Sequence, residues 1–173
     1  MVYKILKIKE RNIEYISKIM QKRWDLDKNV ADFDAKKYLM SNKEKAGWII
    51  LNNKTPIGCG LFDYYNSDVS EKHHPWLLLL WIEPNHRGHK LGIQLTKKRM
   101  SYAKRHGYKI VYLDTTEAEK YHEKLGWKKI DEINYHGEKD IIMKFNLSKK
   151  FPQEKLNKTF DVVRGHIVNG LKD

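Results

Sequence analysis

The chain has 173 residues, one cysteine and a formal net charge of +12. A single cysteine excludes an internal disulfide and favours a cytoplasmic protein. The longest apolar run, residues 76–82, is too short to cross a bilayer, and lysines interrupt the apolar N-terminus before a signal peptide could form. The positive charge suits a polyanion, but the lysines are scattered and no nucleic-acid-binding motif is present, which argues against a nucleic-acid partner.

The first half of the chain alternates between strand and helix patterns. Near-alternating apolar residues at 2–8 predict a strand. Apolar residues at helical spacing predict a helix over residues 12–24 and a second over 33–40. Two apolar runs, 48–51 and 57–62, are joined by asparagines and a proline, which predicts a β-hairpin.

The middle of the chain predicts a parallel strand pair. Residues 76–82 are apolar at every position, which is typical of a central strand that is buried on both faces. Residues 91–106 predict a helix with Gly107 as its C-terminal cap, and residues 110–113 predict a short buried strand. A strand, a crossover helix and a second strand form a right-handed parallel pair.

The last third predicts a short helix, a hairpin and an extension. Thr116 and Glu119 have the spacing of a capping box at a helix start. Residues 127–133 and 139–147 then predict two antiparallel strands. Residues 148–173 predict an amphipathic helical extension, which would either pack on the domain or form a homodimer contact.

The loop between the predicted parallel strand and its helix contains the residues that indicate a ligand site. It reads Glu83-Pro84-Asn85-His86-Arg87-Gly88-His89-Lys90-Leu91-Gly92. The first amides of a helix lack internal partners and carry partial positive charge, so they form an anion site. Gly88 and Gly92 allow a ligand to come close, and three neighbours add charge or donors: Arg87, His89 and Lys90. The loop therefore predicts a phosphate-binding site that is neither a P-loop nor a dinucleotide fingerprint.

Two motifs on adjacent elements extend this interpretation. The segment from Arg87 to Gly92 resembles the Gln/Arg-x-x-Gly-x-Gly/Ala loop of the GNAT superfamily of acetyl-CoA-dependent N-acetyltransferases. His122-Glu123-Lys124-Leu125-Gly126-Trp127 is similar to the Tyr-Glu-Lys-Leu-Gly-Phe that the family often carries in its next short helix. One departure is Lys90, which occupies the position of the family's middle loop glycine. The resemblance covers residues 1–147.

The resemblance implies an α/β (α+β) fold, with a mixed, mostly antiparallel central sheet, one parallel strand pair and about four flanking helices. It implies an acyltransferase that moves the acetyl group of acetyl-CoA directly to a primary amine of a small molecule or a peptide. Acetyl-CoA is then a cosubstrate, and no metal is required. The residues expected to bind the coenzyme are Trp81, Ile82, Arg87, Gly88, His89, Lys90, Leu91 and Gly92.

Three catalytic tasks follow from the same resemblance. A backbone amide of Trp81, Ile82 or Glu83 would polarise the thioester oxygen. Glu83 is the preferred candidate for accepting a proton from the amine, and His74 and Glu71 are secondary candidates. His122 and Tyr121 are alternative donors to the departing thiolate, since protonated histidine and neutral tyrosine are both competent.

The acceptor is less defined by the sequence. Four aspartates in an otherwise basic chain could attract a cationic amine, although ordinary capping also explains them: Asp25, Asp27, Asp32 and Asp34. Two other functions remain open, namely a non-catalytic acyl-CoA sensor with the same fold and a basic nucleic-acid-binding module.

Overall fold

The computed structural model describes residues 2–66, 69–135 and 137–151. Within these ranges it contains seven strands and four α-helices. The strands are β1 (Tyr3–Lys7), β2 (Lys45–Asn52), β3 (Thr55–Asp63), β4 (Trp81–Ile82), β5 (Ile110–Thr115), β6 (Lys128–Tyr135) and β7 (Glu138–Asn146). The helices are α1 (Ile13–Trp24), α2 (Lys28–Lys37), α3 (Leu91–Arg105) and α4 (Glu119–Lys124).

The strands form two antiparallel groups that meet at one short parallel contact. One group has the order β1-β2-β3-β4 and the other has the order β5-β7-β6. Trp76 forms a parallel bridge with Tyr112, and the Leu77 amide donates to the Tyr112 carbonyl at 2.8 Å. The predicted mixed sheet with one parallel pair is therefore confirmed, and the parallel contact lies well before β4.

The apolar run at residues 76–82 is only partly the regular strand that the sequence predicts. Leu79 has a φ of 41°, in the left-handed region, so the extended backbone is interrupted there. Leu78 and Leu79 consequently both face the apolar cluster under α1 and α2, whereas Leu77 packs in the cluster under α3. Both faces of the run are buried, as the lack of alternation predicts, but the irregularity limits β4 to two residues.

Arg99 holds this irregular backbone from α3. Its side chain is among the largest fully buried ones, and its guanidinium donates to the carbonyls of Leu78, at 2.8 Å, and Leu61, at 3.1 Å. Thr96 Oγ1 accepts a third bond at 3.3 Å. These bonds tie α3 to both β3 and the interrupted segment, which places the start of α3 beside β4.

Two helix starts differ from the prediction. Helix α2 begins at Lys28 and not at residue 33, because the Asp27 carboxylate accepts the Asn29 amide at 2.7 Å and caps the helix. The predicted capping box of Thr116 and Glu119 is wrong. Thr115 Oγ1 instead accepts the Ala118 amide at 3.0 Å, and α4 begins at Glu119.

Among the described residues, no helix is long and apolar enough to cross a membrane. The predicted extension at residues 148–173 lies outside the described residues beyond Phe151. That residue packs on Phe145, with 5.6 Å between ring centroids.

Candidate functional site

A cleft of about 1730 Å³ opens between β4 and β5, beyond the parallel contact of Trp76 with Tyr112. The loop before α3 and the side of α4 line one part of it. The C-terminal end of α1, the segment after β3, and strands β5 and β7 line the other part. The cleft therefore joins the predicted phosphate loop to a second group of polar side chains across the sheet.

The predicted phosphate loop has a backbone conformation that suits an anion site. Gly88 has a φ of 82°, and a Cβ there would meet nothing within 4 Å, so open space lies above it. Lys90 has a φ of 58° and precedes the helix directly. The Gln94 amide makes the first bond of α3, to the Lys90 carbonyl at 3.1 Å, so the amides of residues 91–93 precede the helical ladder.

The edge of β4 presents the backbone of one residue, Ile82, to the cleft. The Glu83 amide donates to the Ile57 carbonyl of β3 at 2.8 Å. Because amides alternate along a strand, the amide and carbonyl of Ile82 point away from β3 and into the gap. Arg87 Nε donates to the Ile82 carbonyl at 3.0 Å, in agreement with that direction. Of the three predicted amides, Ile82 is thus the one that faces the cleft.

Trp81 and Glu83 form a hydrogen-bonded contact beside this edge. Glu83 Oε1 accepts hydrogen bonds from Tyr15 Oη at 2.8 Å and from Trp81 Nε1 at 3.1 Å. The Arg87 guanidinium lies 5.4 Å from the centroid of the Trp81 ring. Trp81 itself is 8% exposed, so most of its side chain packs in the core, although the residue also borders the cleft. The carboxylate of Glu83 is accordingly engaged in fixing β4 against α1.

Tyr121 and His122 both line the cleft from α4. Burial raises the pKa of Tyr121 to about 12, so the phenol stays protonated at neutral pH. Burial and the nearby Arg99 guanidinium lower the pKa of His122 to about 4. Within the part of the chain that the structure describes, the buried His122 Nδ1 meets no hydrogen-bond partner. His122 is therefore almost entirely neutral at pH 7.

The histidines of the loop take different positions. His86 lines the cleft, and among the described residues its buried Nδ1 also meets no hydrogen-bond partner. His89 turns outward, where its ring lies 5.7 Å from that of Tyr3 and its Nδ1 lies 3.1 Å from the Arg87 carbonyl oxygen. His74, a secondary candidate for the base, stacks on Tyr64 and bonds to the Tyr64 carbonyl.

The four predicted acidic residues serve mainly as caps and surface ion pairs. Asp27 caps α2, and Asp32 and Asp34 pair with Lys28 and Lys37. Only two of the four, Asp25 and Asp34, line the cleft.

A different pair of acids lies inside the cleft, the half-buried Asp114 on β5 and the buried Asp140 on β7. Asp140 is 4% exposed, and its Oδ1 accepts the Ile141 amide at 3.1 Å. Asn66 Nδ2 donates to Asp114 Oδ1 at 3.3 Å. Sequence reasoning missed this pair. A carboxylate directly after a buried strand, at the point where two parallel strands part, is the signal that could have found it.

The Asp114 carboxyl predicts a pH-dependent stability. Burial and the neighbouring Asp140 raise its pKa from 3.8 to about 6. The native state then binds more protons than the unfolded state between these values, so stability falls as the pH rises from about 4 to 6. We expect Asp114→Asn, which mimics the neutral form, to raise the free energy of unfolding by about 1–2 kcal/mol at pH 7.5 and by little at pH 4.

Urea unfolding at both pH values measures this difference. The matched control is Asp131→Asn on β6, because Asp131 is exposed and lies outside the cleft. Equal effects of Asp114→Asn at the two pH values would contradict the assigned pKa.

No group of three or more histidine, cysteine or acidic side chains with metal-binding geometry occurs within the described ranges. Cys59 is buried. Burial raises the pKa of its thiol to about 12, so the thiolate required of a nucleophile is absent at neutral pH.

A family model and several solved structures match this chain. Residues 13–127 match the model of the acetyltransferase (GNAT) family. No curated protein sequence matches the chain. Similar solved structures include an aminoglycoside 6'-N-acetyltransferase from Enterococcus faecium, with 15% identity over 88% of this chain and 100% of that one and a TM-score of 0.66.

A second such structure is an aminoglycoside 6'-N-acetyltransferase complexed with coenzyme A, with 15% identity, the same coverage of both chains and a TM-score of 0.67. A third is yncA from Salmonella typhimurium with its cofactor acetyl-CoA, with 14% identity over 87% of this chain and 96% of that one and a TM-score of 0.66. The family model spans more than half of the chain and the fold agrees with it. The chain therefore belongs to the GNAT family of acetyltransferases and uses acetyl-CoA as its cosubstrate.

Proposed function

We propose that the protein transfers the acetyl group of acetyl-CoA directly to a primary amine. The observation that carries this proposal is the cleft between β4 and β5, which connects the phosphate loop to carboxyls across the sheet. A ligand with a phosphate-rich end and an amine acceptor can thus meet in the gap where the Ile82 amide points. A cytoplasmic location and a homodimer stay predictions from the sequence.

The residues of the loop fit the pyrophosphate of acetyl-CoA. A side chain would fill the open space above Gly88, and the amides of residues 91–93 offer donors toward it. Arg87 and Lys90 line the same end of the cleft and supply positive charge. Acetyl-CoA brings the activated acyl group as a thioester.

The chain's own groups would then stabilise the charges that develop during transfer. The Ile82 amide would donate to the thioester oxygen as negative charge grows on it. Tyr121 would donate its phenolic proton toward the sulfur as the C–S bond breaks. His122 has too low a pKa to be protonated at neutral pH, which favours Tyr121 of the two predicted donors.

Turnover of acetyl-CoA with a panel of amines tests the proposal. The panel holds an alkylamine, a diamine, an aminoglycoside and a peptide with a free amino terminus. Release of the coenzyme A thiol and the mass of the acetylated product are measured together. Tight binding of acetyl-CoA without product from any amine would instead support a non-catalytic sensor. A salt-sensitive gel shift without acetyl-CoA binding would support a nucleic-acid-binding module.

Lys90 provides a test of the atypical loop. Its φ of 58° disfavours a side chain, so Lys90→Gly should raise the free energy of unfolding by about 1 kcal/mol. The same change removes a charge from the phosphate site. We expect the Kd for acetyl-CoA to rise about fivefold at low salt, and the difference from the unaltered protein to shrink at high salt.

Calorimetric titration at two salt concentrations measures the affinity, and urea unfolding measures the stability. Lys54→Gly in the β2–β3 turn is the charge-matched control, because it lies outside the loop. A gain in stability without any loss of affinity would show that Lys90 makes no contribution to phosphate binding.

A further inference from the structure

We propose that the buried guanidinium of Arg99 stabilises the coenzyme A thiolate that leaves during transfer, through its electrostatic field and without touching the substrate. This inference rests on the proposed acetyl transfer to an amine. It concerns the leaving group in that same site.

Arg99 brings a positive charge into the lining of the cleft without a carboxylate to balance it. The residue lines the cleft from α3, although only 2% of it is exposed. Among the described residues, no carboxylate lies within salt-bridge distance of its guanidinium. Burial lowers the pKa of Arg99 to about 9, so the side chain keeps its charge at pH 7. A buried cation without a counter-ion costs folding free energy.

The backbone contacts of Arg99 explain a hydrogen-bond donor at this position but not a charge. The carbonyls of Leu61 and Leu78 accept N–H groups, and a neutral amide side chain also offers two of these. The buried Nε of Arg99 meets no hydrogen-bond partner in the part of the chain that the structure describes. A Cβ at Gly60 would lie 3.2 Å from this Nε, so the glycine on β3 makes room for the guanidinium. The chain thus accommodates a cation that its described contacts do not require.

The charge of Arg99 acts on α4, which carries the proposed proton donor. Burial and then the Arg99 guanidinium lower the pKa of His122 to about 4. Tyr121, the neighbour of His122, lines the cleft and packs against the same apolar cluster under α3. The guanidinium also acts on Cys59 of β3, where burial raises the pKa of the thiol and the guanidinium partly opposes that rise. A potential that disfavours a proton on His122 favours negative charge on a sulfur beside Tyr121.

The transfer creates that negative charge on the sulfur. The amine nitrogen attacks the thioester carbon, the C–N bond forms and the C–S bond breaks. The sulfur keeps the bonding pair and receives a proton from Tyr121, and the nitrogen gives up one proton that restores the phenol. Arg99 keeps all its protons. Its charge lowers the free energy of the sulfur while the C–S bond breaks, because little water lies around the guanidinium to screen it.

The thiol of bound coenzyme A provides a direct readout of this effect. We expect its pKa in the complex with the full-length protein to lie about one unit below that of free coenzyme A. The ultraviolet absorbance of the thiolate follows the titration below pH 9, where Arg99 keeps its charge. The complex with desulfo-coenzyme A, which has a hydrogen in place of the thiol, serves as the blank and removes the signals of the protein's own tyrosines and cysteine.

Three variants separate the charge of Arg99 from its structural contacts. Arg99→Gln removes the charge and keeps a donor, so the thiol pKa should return to within about half a unit of the free value, and kcat should fall about tenfold. Arg99→Lys restores the charge and should recover most of both effects. Thr96→Val removes one hydrogen bond of Arg99 and leaves its charge, so the thiol pKa should stay low.

The unaltered protein decides the question even if Arg99→Gln is too unstable to purify. A bound thiol that titrates like free coenzyme A would overturn the inference, and so would a lowered thiol pKa that persists in Arg99→Gln. If amines are acetylated while the bound thiol shows no shift, the inference fails and the proposed function stands. If the thiol pKa falls but no amine in the panel is acetylated, the proposed function fails, and with it the role of Arg99 in a leaving step.

Discussion

Tyr121→Phe should lower kcat for acetyl transfer about 100-fold while leaving the KM for acetyl-CoA within about twofold. The phenol lies in the cleft on α4 and stays protonated because burial raises its pKa to about 12. Phenylalanine keeps the ring and its packing and removes only the proton that the leaving thiolate needs. The loss should therefore appear in kcat and spare binding. Steady-state kinetics with a saturating amine measures both constants.

His122→Gln is the matched control for this prediction, since His122 is the neighbouring candidate donor on α4. With a pKa of about 4 it holds a proton in roughly one molecule in a thousand at pH 7, so its loss should change kcat less than about threefold. A donor of that pKa would also make kcat fall tenfold per pH unit across the neutral range. A large loss of kcat in His122→Gln, together with a tenfold fall of kcat per pH unit in the unaltered protein, would show that His122 and not Tyr121 is the proton donor.

Gly92→Ala should weaken acetyl-CoA binding about tenfold or more while the protein becomes slightly more stable. A Cβ at Gly92 would lie 3.8 Å from Leu80 Cδ2, an ordinary contact, so the fold has room for it. Alanine is the better helix former, and we expect a gain of about 0.5 kcal/mol in the free energy of unfolding. The added methyl group would occupy the surface that the phosphates approach. Equilibrium titration measures the loss of acetyl-CoA affinity, and urea unfolding measures the gain in stability.

Gly58→Ala is the contrasting control. A Cβ there would lie 2.7 Å from the Trp81 carbonyl oxygen, which is a backbone atom and cannot easily move. We expect a loss of about 1–3 kcal/mol in the free energy of unfolding. Gly58 is thus required by the packing of β3 on β4, whereas we propose that Gly92 is required by the ligand. Unchanged affinity in Gly92→Ala would contradict close approach of the coenzyme to this residue.

Local patterns in the sequence predicted the fold well because its elements follow local rules. Helix α3 has a clear apolar period and a glycine just beyond its end, and β2 and β3 are continuous apolar runs. The family resemblance rests on two motifs, and both lie on the elements that line the cleft. Where the prediction was wrong, a competing side-chain bond decided the outcome: the Asp27 cap extended α2, and Thr115 replaced Thr116 at α4.

The chemistry across the sheet could not be predicted in the same way, because it depends on tertiary neighbours. Asp114 and Asp140 are 26 positions apart by their numbers, and only the pairing of β5 with β7 brings them together. The preference for Tyr121 over His122 likewise depends on burial and on Arg99, which lies on another helix. The irregular backbone at Leu79 has no marker in an uninterrupted apolar run.

The two walls of the cleft differ in how they are encoded along the chain. The coenzyme wall, which is the part of the lining that we propose to bind acetyl-CoA, comes largely from one continuous stretch, from β4 through the first turn of α3, with α4 added. The acceptor wall, which is the part that we propose to bind the amine, is assembled from the end of α1, the segment after β3, β5 and β7, which are far apart in the sequence. Changes in one acceptor segment can accordingly alter substrate choice while the coenzyme wall stays intact. New acceptor specificities can thus evolve, or be selected in the laboratory, through changes in one segment at a time that leave the coenzyme wall unaltered.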